Sequence, residues 1–228
     1  MENNNKIKIE KNGPYCVPSN IPLEKEFVVP DENNDPLNWK KEEKYLTKGE
    51  YYLCRCGKSR NKPFCDHTHQ KVKFDGTETA SKESYEKQAE KNFGPGMDLI
   101  DAPSLCSRAR FCHRQGGTWD LTMKSNDPEA KKTAIEEACN CPSGRLTAID
   151  KKTGKPIEPE FIPSISVTED IPAKVSGPLW IKGEIKIESS DGSMYETRNR
   201  QTICRCGKSC NKPFCDGSHI DIKFDDKQ

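Results

Sequence analysis

Two sets of potential soft-metal ligands recur with one spacing: Cys54, Cys56, Cys65 and His69, then Cys204, Cys206, Cys215 and His219. Thiolates select zinc, copper(I) or iron–sulfur clusters, and neutral imidazole is compatible with each, so the residue types alone leave the metal open. The spacing narrows the field. Cys-x-Cys puts two thiolates on adjacent turns of one loop, and Pro-Phe-Cys-Asp-x-x-His brings the other two from the start of a short helix. Zinc fingers commonly use Cys-x2–4-Cys with a longer span to the second ligand pair, which this compact set does not match.

The elements that must carry these ligands are themselves repeated. Cys54–His69 and Cys204–His219 align without a gap and run on into similar tails, Val72-Lys73-Phe74-Asp75 and Ile222-Lys223-Phe224-Asp225. Upstream, Gly13-Pro14 stands at the same offset from Ile21-Pro22-Leu23-Glu24 as Gly177-Pro178 does from Ile185-Lys186-Ile187-Glu188, so each copy has a leader as well as a ligand motif. The second leader alternates apolar and polar residues through Ile181, Ile185 and Ile187. It breaks at Ser189-Ser190-Asp191-Gly192 and resumes from Met194 to Ile203, the pattern of a β-hairpin with Asp-Gly at the turn. The first leader has a longer interior in which Pro30 and Pro36 mark loop. Helix is expected over 81–91 and 128–138. The second stretch has Asp127-Pro128 as a start signal and Ala130, Ala134, Ile135 and Ala138 on one face. The fold class that follows is mainly β (α+β), with a small α-containing insert between the copies.

Only 32% of the 228 residues are hydrophobic and the mean hydropathy is −0.92, so the apolar core must be thin. Chains short of apolar surface are often held by disulfides or metals, and twelve cysteines supply the means for either. No apolar run approaches the roughly 18 residues of a membrane span. Residues 1–10 are rich in Asn and Lys and lack an apolar signal core, so a soluble cytoplasmic chain without a membrane anchor is expected. In a reducing cytosol clustered cysteines are more often metal ligands than disulfides. The 37 Lys and Arg nearly cancel 36 Asp and Glu, which leaves no global field to favour nucleic acid.

The paired motifs resemble those of the CDGSH iron–sulfur proteins of the mitoNEET type, whose pattern is Cys-x-Cys-x2-Ser/Thr-x3-Pro-x-Cys-Asp-Gly-Ser/Ala/Thr-His. The second copy matches throughout, including Ser209, Pro213, Asp216, Gly217 and Ser218. The first matches at Ser59, Pro63, Asp66 and Thr68 but has His67 in place of glycine, which bears on a tight turn and offers a second imidazole near the ligands. The resemblance implies a [2Fe–2S] cluster in each motif, held by three cysteines and one histidine, with the family's β-cap and cluster-binding regions. Such motifs often work in pairs, so leader and motif of the two halves are expected to pair as an intramolecular pseudo-dimer within a monomer. Exchanging one thiolate for neutral imidazole removes a negative charge, which favours reduction relative to an all-cysteine centre. Around the ligands, Ser59 and Ser209 are placed to donate to cluster sulfur or a thiolate, and Asp66 and Asp216 to cap the helix leading to histidine, unless all four are simple turn residues.

Between the copies lie Cys106-Ser-Arg-Ala-Arg-Phe-Cys112 and Cys139-Asn-Cys141-Pro-Ser-Gly-Arg-Leu146. This segment resembles the divergent single-cluster ferredoxin-like domain, whose pattern is Cys-x5-Cys followed later by Cys-Pro-Ser-Gly-Ala-Leu. Cys106, Cys112 and Cys141 fall on that pattern, and Cys139 is expected as the fourth ligand. A third iron–sulfur cluster, a structural zinc or plain thiols are the alternatives, since four thiolates also make a closed zinc site. Cys16 and Cys210, which align with Trp180 and Arg60 of the other copy, and His113 are read as non-ligands, and Trp119 and Trp180 as core.

The expected organisation is a first CDGSH unit over 1–80, a linker over 81–96, the ferredoxin-like insert over 97–165 and a second CDGSH unit over 166–228. No nucleotide-binding fingerprint, nucleophile elbow or acid–base pair is visible, so the chain is not expected to be an enzyme. One-electron transfer to a protein redox partner is the leading expectation. The alternatives are cluster storage, delivery to an acceptor protein or redox sensing, and an interaction protein whose metal centres only hold it folded.

Overall fold

The alternating leaders become strands that the two copies share. The computed structural model describes residues 5–227. The first copy contributes β1 (Lys6–Ile9), β2 (Tyr15–Val17), β3 (Leu23–Pro30), β4 (Pro36–Lys44) and β5 (Tyr51–Leu53). The insert contributes β6 (Glu90–Phe93), β7 (Met97–Asp101), β8 (Leu146–Asp150) and β9 (Pro156–Ile157). The second copy contributes β10 (Ser164–Asp170), β11 (Val175–Lys182), β12 (Lys186–Glu188) and β13 (Arg200–Ile203).

One sheet runs β12-β1-β2-β5 and another β13-β11-β10-β3-β4. Apart from β4 they are the same sheet: each takes the first, second and last strands of its own copy and the third strand of the other. Ile7 stands opposite Ile187 in the parallel β1·β12 pair, and Leu23 opposite Ile165 in the parallel β3·β10 pair. Within each copy Ile9 faces Tyr15 as Val167 faces Leu179, and Tyr15 faces Leu53 as Leu179 faces Ile203. The period-two pattern sends these residues to one side. There Ile7, Tyr15, Leu23 and Leu53 pack with Ile165, Leu179, Ile187 and Ile203 in a single buried core. The expected intramolecular pseudo-dimer is thus built by strand exchange.

The hairpin expected in the second leader forms only its turn. Gly192 donates to the Ser189 carbonyl (2.9 Å) and Met194 bridges Glu188, but the returning strand β13 pairs with β11. The free edge of β12 is taken by β1 of the other copy, so β13 completes the other sheet and delivers the cysteine loop. The longer interior of the first leader is a further hairpin, β3 and β4, with its turn between Pro30 and Pro36.

The helices are α1 (Thr68–Lys71), α2 (Tyr85–Gln88), α3 (Thr118–Met123), α4 (Pro128–Asn140) and α5 (Ser218–Asp221). Of the helix expected over 81–91 only the single turn α2 exists, because Glu90–Phe93 pairs with β7 instead. Helix α4 forms as expected: Asp127 accepts the Glu129 N–H (3.1 Å), Pro128 occupies the first turn, and Ala130, Ala134 and Ala138 are buried. Helix α3, not anticipated, packs beside it, joined by a hydrogen bond from Thr118 Oγ1 to Glu137 (2.6 Å). Both cover the sheet β6-β7-β8-β9 through Met97, Leu99, Leu121, Leu146 and Ala148. The insert then closes over the second sheet, whose strands β10 and β11 are buried throughout. Among the described residues no helix is long and apolar enough to cross a membrane.

Candidate metal centres

Each last strand hands its first cysteine directly to a folded-back loop. The Cys54 N–H donates to the Pro63 carbonyl and the Cys65 N–H to Tyr52, both at 2.8 Å, and Cys204 and Cys215 repeat this with Pro213 and Thr202 at 2.8 and 2.9 Å. The fold-back brings the four side chains of each motif together. Cys54 Sγ lies 3.7 Å from Cys56 Sγ and Cys65 Sγ 3.4 Å from His69 Nδ1; in the second copy the distances are 3.6 Å and 3.3 Å. Nδ1 is therefore the imidazole nitrogen turned toward the thiols.

The electrostatics put one thiol of each set and both histidines in ligand-ready forms, while the hydrogen bond to that thiol, and burial, hold the Cys56 and Cys206 thiols well above their usual value. The hydrogen bond from Cys56, joined by the backbone N–H groups of Ser59 and Gly57, lowers the Cys54 thiol to about 6 against the cost of burial. Cys206, Ser209 and Gly207 do the same for Cys204, also to about 6. Burial raises the Cys65 and Cys215 thiols, so a metal binding there must displace their protons. Burial also lowers His69, with His67 adding repulsion, and pushes His219 down to about 4 with help from Arg205 and Arg108. Both imidazoles are neutral at pH 7, the form that ligates. Three thiols and one neutral nitrogen, set as a Cys–Cys and a Cys–His pair on one folded-back loop, fit an iron–sulfur cluster or another soft metal.

The two loops meet back to back. A Cβ on Gly57 would lie 2.4 Å from the Cys206 carbonyl oxygen, and one on Gly207 2.5 Å from that of Cys56; both glycines have positive φ, 73° and 79°. Only glycine permits this approach. Behind each loop stands an arginine that the sequence reading passed over. Arg55 is buried over the Tyr15 and Phe74 rings and donates to the Glu10 carbonyl (2.9 Å). Arg205 lies over Phe224 and donates to Gly177 (2.6 Å) and Thr168 (3.0 Å). Their identical place between two ligand cysteines was the available signal.

The serine hydroxyls do not reach sulfur. Ser59 Oγ donates to the Phe64 carbonyl and Ser209 Oγ to Phe214, both at 2.7 Å, and each accepts the N–H two residues on, so they brace the loop. Asp66 and Asp216 do cap the helices that carry histidine, accepting the N–H of Thr68 (3.0 Å) and Ser218 (2.9 Å). The backbone donors from Arg60 and Thr68 hold the Asp66 carboxyl far below its usual value. Cys16 sits on β2, half-buried, and Cys210 is exposed. At the first motif Cys65, His67 and His69 place ligand atoms within 4.8 Å of one another.

In the insert Cys106, Cys112 and Cys141 line one small pocket with Arg108, Arg110 and Arg145. Burial and the two neighbouring thiols push Cys112 up to about 12. Cys139 is not brought to them. It lies in the last turn of α4 with its thiol toward the Ile157 carbonyl (3.6 Å), whereas Cys141 comes after the helix has ended. Three thiols there fit a soft metal or cluster, and the expected fourth is turned away by the helix. His113 lies beside this loop; Trp180 is buried in the core, and Trp119 donates to Asp101 (3.1 Å).

Comparison with known protein families finds matches over three segments of the chain. The family model described as iron-binding zinc finger, CDGSH type, matches residues 12–70 and 176–220, and the one described as divergent 4Fe-4S mono-cluster matches 93–151. No curated protein and no solved structure matches the chain. With the ligand geometry above, this is an iron–sulfur protein in which two CDGSH-type iron-binding segments flank a divergent 4Fe-4S segment.

Proposed function

We propose that this chain is a one-electron carrier, not an enzyme, with a [2Fe–2S] cluster in each set of three cysteines and one histidine and a third iron–sulfur centre in the insert. The observation that carries the reading is the duplicated ligand geometry, Nδ1 of His69 and His219 turned to Cys65 and Cys215 with the two motifs back to back at Gly57 and Gly207. A cluster bound there supplies a one-electron couple at a potential raised by the neutral imidazole. The residues contribute the rest. The buried arginines and braced loops hold the ligands, and the backbone N–H groups of Lys58, His67 and Gly217 point at thiols (3.4 Å each), where they favour the more negative sulfur. Its partners are redox proteins. A second reading, cluster delivery to an acceptor protein, is favoured at the first motif alone, where Cys65 and His69 are half-buried and His67 is exposed.

The test is anaerobic iron, sulfide and zinc analysis with EPR of the dithionite-reduced protein. About four irons and four sulfides from the paired motifs, plus those of a distinct third signal, are expected. Zinc without sulfide would overturn the reading. Transfer of cluster to an acceptor protein, in place of reversible cycling, would favour delivery.

A further inference from the structure

The two ligand motifs are not presented alike, and the difference turns on one position. His67 and Gly217 precede their liganding histidines by two residues and share the left-handed backbone, with φ 64° and 86°. That conformation therefore does not itself demand glycine in this loop. What Gly217 does is leave room. A Cβ there would lie 2.2 Å from Cδ and 2.5 Å from Cγ of Arg108, a residue of the insert loop between Cys106 and Cys112. The Arg108 guanidinium continues past it to both carboxylate oxygens of Asp221, at 2.7 Å each.

Two more contacts tie the same parts together. Asn211 Nδ2 donates to the Ser104 carbonyl (2.8 Å). Arg200, buried on the strand that leads to Cys204, donates to the carbonyls of Cys141 (2.6 Å), Cys139 (3.2 Å) and Leu146 (3.0 Å). Each of these anchors falls on the second copy. Accordingly Cys215 and His219 are 2% and 4% exposed, whereas Cys65 and His69 keep an open side.

We propose that Gly217 is a docking seat: its missing side chain admits Arg108, which holds the Cys106, Cys112 and Cys141 site against the second ligand motif and makes those two sites a coupled pair. The first motif, with His67 in the same place, is left facing outward. The inference rests on the reading of all three sites as iron–sulfur centres.

The test is Gly217→His, which writes the first copy's residue into the second. His67 already stands in the left-handed conformation beside a complete ligand set, so the motif itself tolerates the change. In the dithionite-reduced protein, the EPR lines of the second site, assigned by their displacement in His219→Cys, are expected to be broadened by spin coupling to the insert centre. The broadening should vanish in Cys112→Ser, which removes the insert centre, and in Gly217→His with iron and sulfide unchanged. The mirror variant His67→Gly should leave it intact. If Gly217→His fails to load its cluster, Arg108→Gly decides, since it leaves both CDGSH-type motifs unaltered and must abolish the same broadening while the iron and sulfide of all three sites stay as in the parent. Broadening that survives removal of the Arg108 contact, or that falls equally on the first site's lines, would overturn the proposal. Fewer than three clusters in the unaltered chain would instead overturn the reading beneath it.

Discussion

Replacing Glu137 by glutamine should free the chain from a stability loss that sets in as pH rises above about 5. Glu137 lies on α4 with no exposed surface, accepts a hydrogen bond from Thr118 Oγ1 at 2.6 Å, and leaves Oε1 without a hydrogen-bond partner. Arg114 Nε stands 3.7 Å away, near enough to attract but without a hydrogen bond. Burial outweighs both neighbours and raises the carboxyl from 4.5 to about 7. Below the unfolded value both states are protonated and the group contributes nothing. Between the two values the unfolded chain releases a proton that the folded one keeps, so stability falls with rising pH, and the cost is complete above the folded value. At about 1.4 kcal/mol per pKa unit the full cost is about 3.5 kcal/mol, of which about 2.5 kcal/mol accrues between pH 5 and pH 8. Glutamine keeps the shape and the acceptor for Thr118 without the charge. Anaerobic urea unfolding of both proteins at the two pH values measures the difference, and losses common to both, such as cluster release, cancel. The variant should match the parent to within about 1 kcal/mol at pH 5 and exceed it by about 2–3 kcal/mol at pH 8. An equal difference at both values would refute the reasoning and show that Arg114 already holds Glu137 ionised in the folded state.

Gly57→Ala and Gly207→Ala should each cost at least about 2 kcal/mol, since left-handed strain of about 1–2 kcal/mol adds to the clash with the opposite loop. Gly49→Ala, at φ 68° with nothing within 4 Å, is the control and should show the strain alone; equal urea midpoints for the three would contradict the back-to-back packing. His69→Cys and His219→Cys should each lower the potential of the altered centre and raise its resistance to acid, as read by redox titration and by visible absorbance at falling pH; an unchanged potential would rule out histidine as a ligand there. Cys139→Ser should leave the iron content of the insert as it was, whereas Cys112→Ser should remove it, and equal loss in both would restore Cys139 to the ligand set.

That the three cysteines and one histidine of each motif come near one another was legible because two copies of one spacing carry more information than either alone, and the fold class followed from the alternation in the leaders. The strand exchange was not legible. A parallel pairing of Ile7 with Ile187 leaves no mark in either local pattern, and the Asp-Gly turn pointed to a hairpin whose second strand goes elsewhere. Glu90–Phe93 is polar enough to read as the end of a helix, and only its pairing with β7 makes it a strand. Cys139 and Cys141 are neighbours in sequence, but the end of α4 falls between them and sends the two thiols apart. The serines were left between donation toward sulfur and a plain turn role, and the nearby carbonyls of Phe64 and Phe214 decide for the turn.

The exchanged strands also impose an order of assembly on a chain made from its first residue onward. All four candidate ligand residues of the first motif emerge early, yet β1 waits for β12, and the carbonyl that closes on Gly57 belongs to Cys206. At about 5–20 residues per second that wait lasts roughly ten to forty seconds. During it β1 presents an unpaired edge and the first motif lacks its wall, while the insert, whose main sheet pairings close over shorter stretches of chain, has what it needs to fold. The side chains of the first motif thus reach their finished surroundings only after synthesis, when the last strand and loop of the second copy arrive and both loops close in one event.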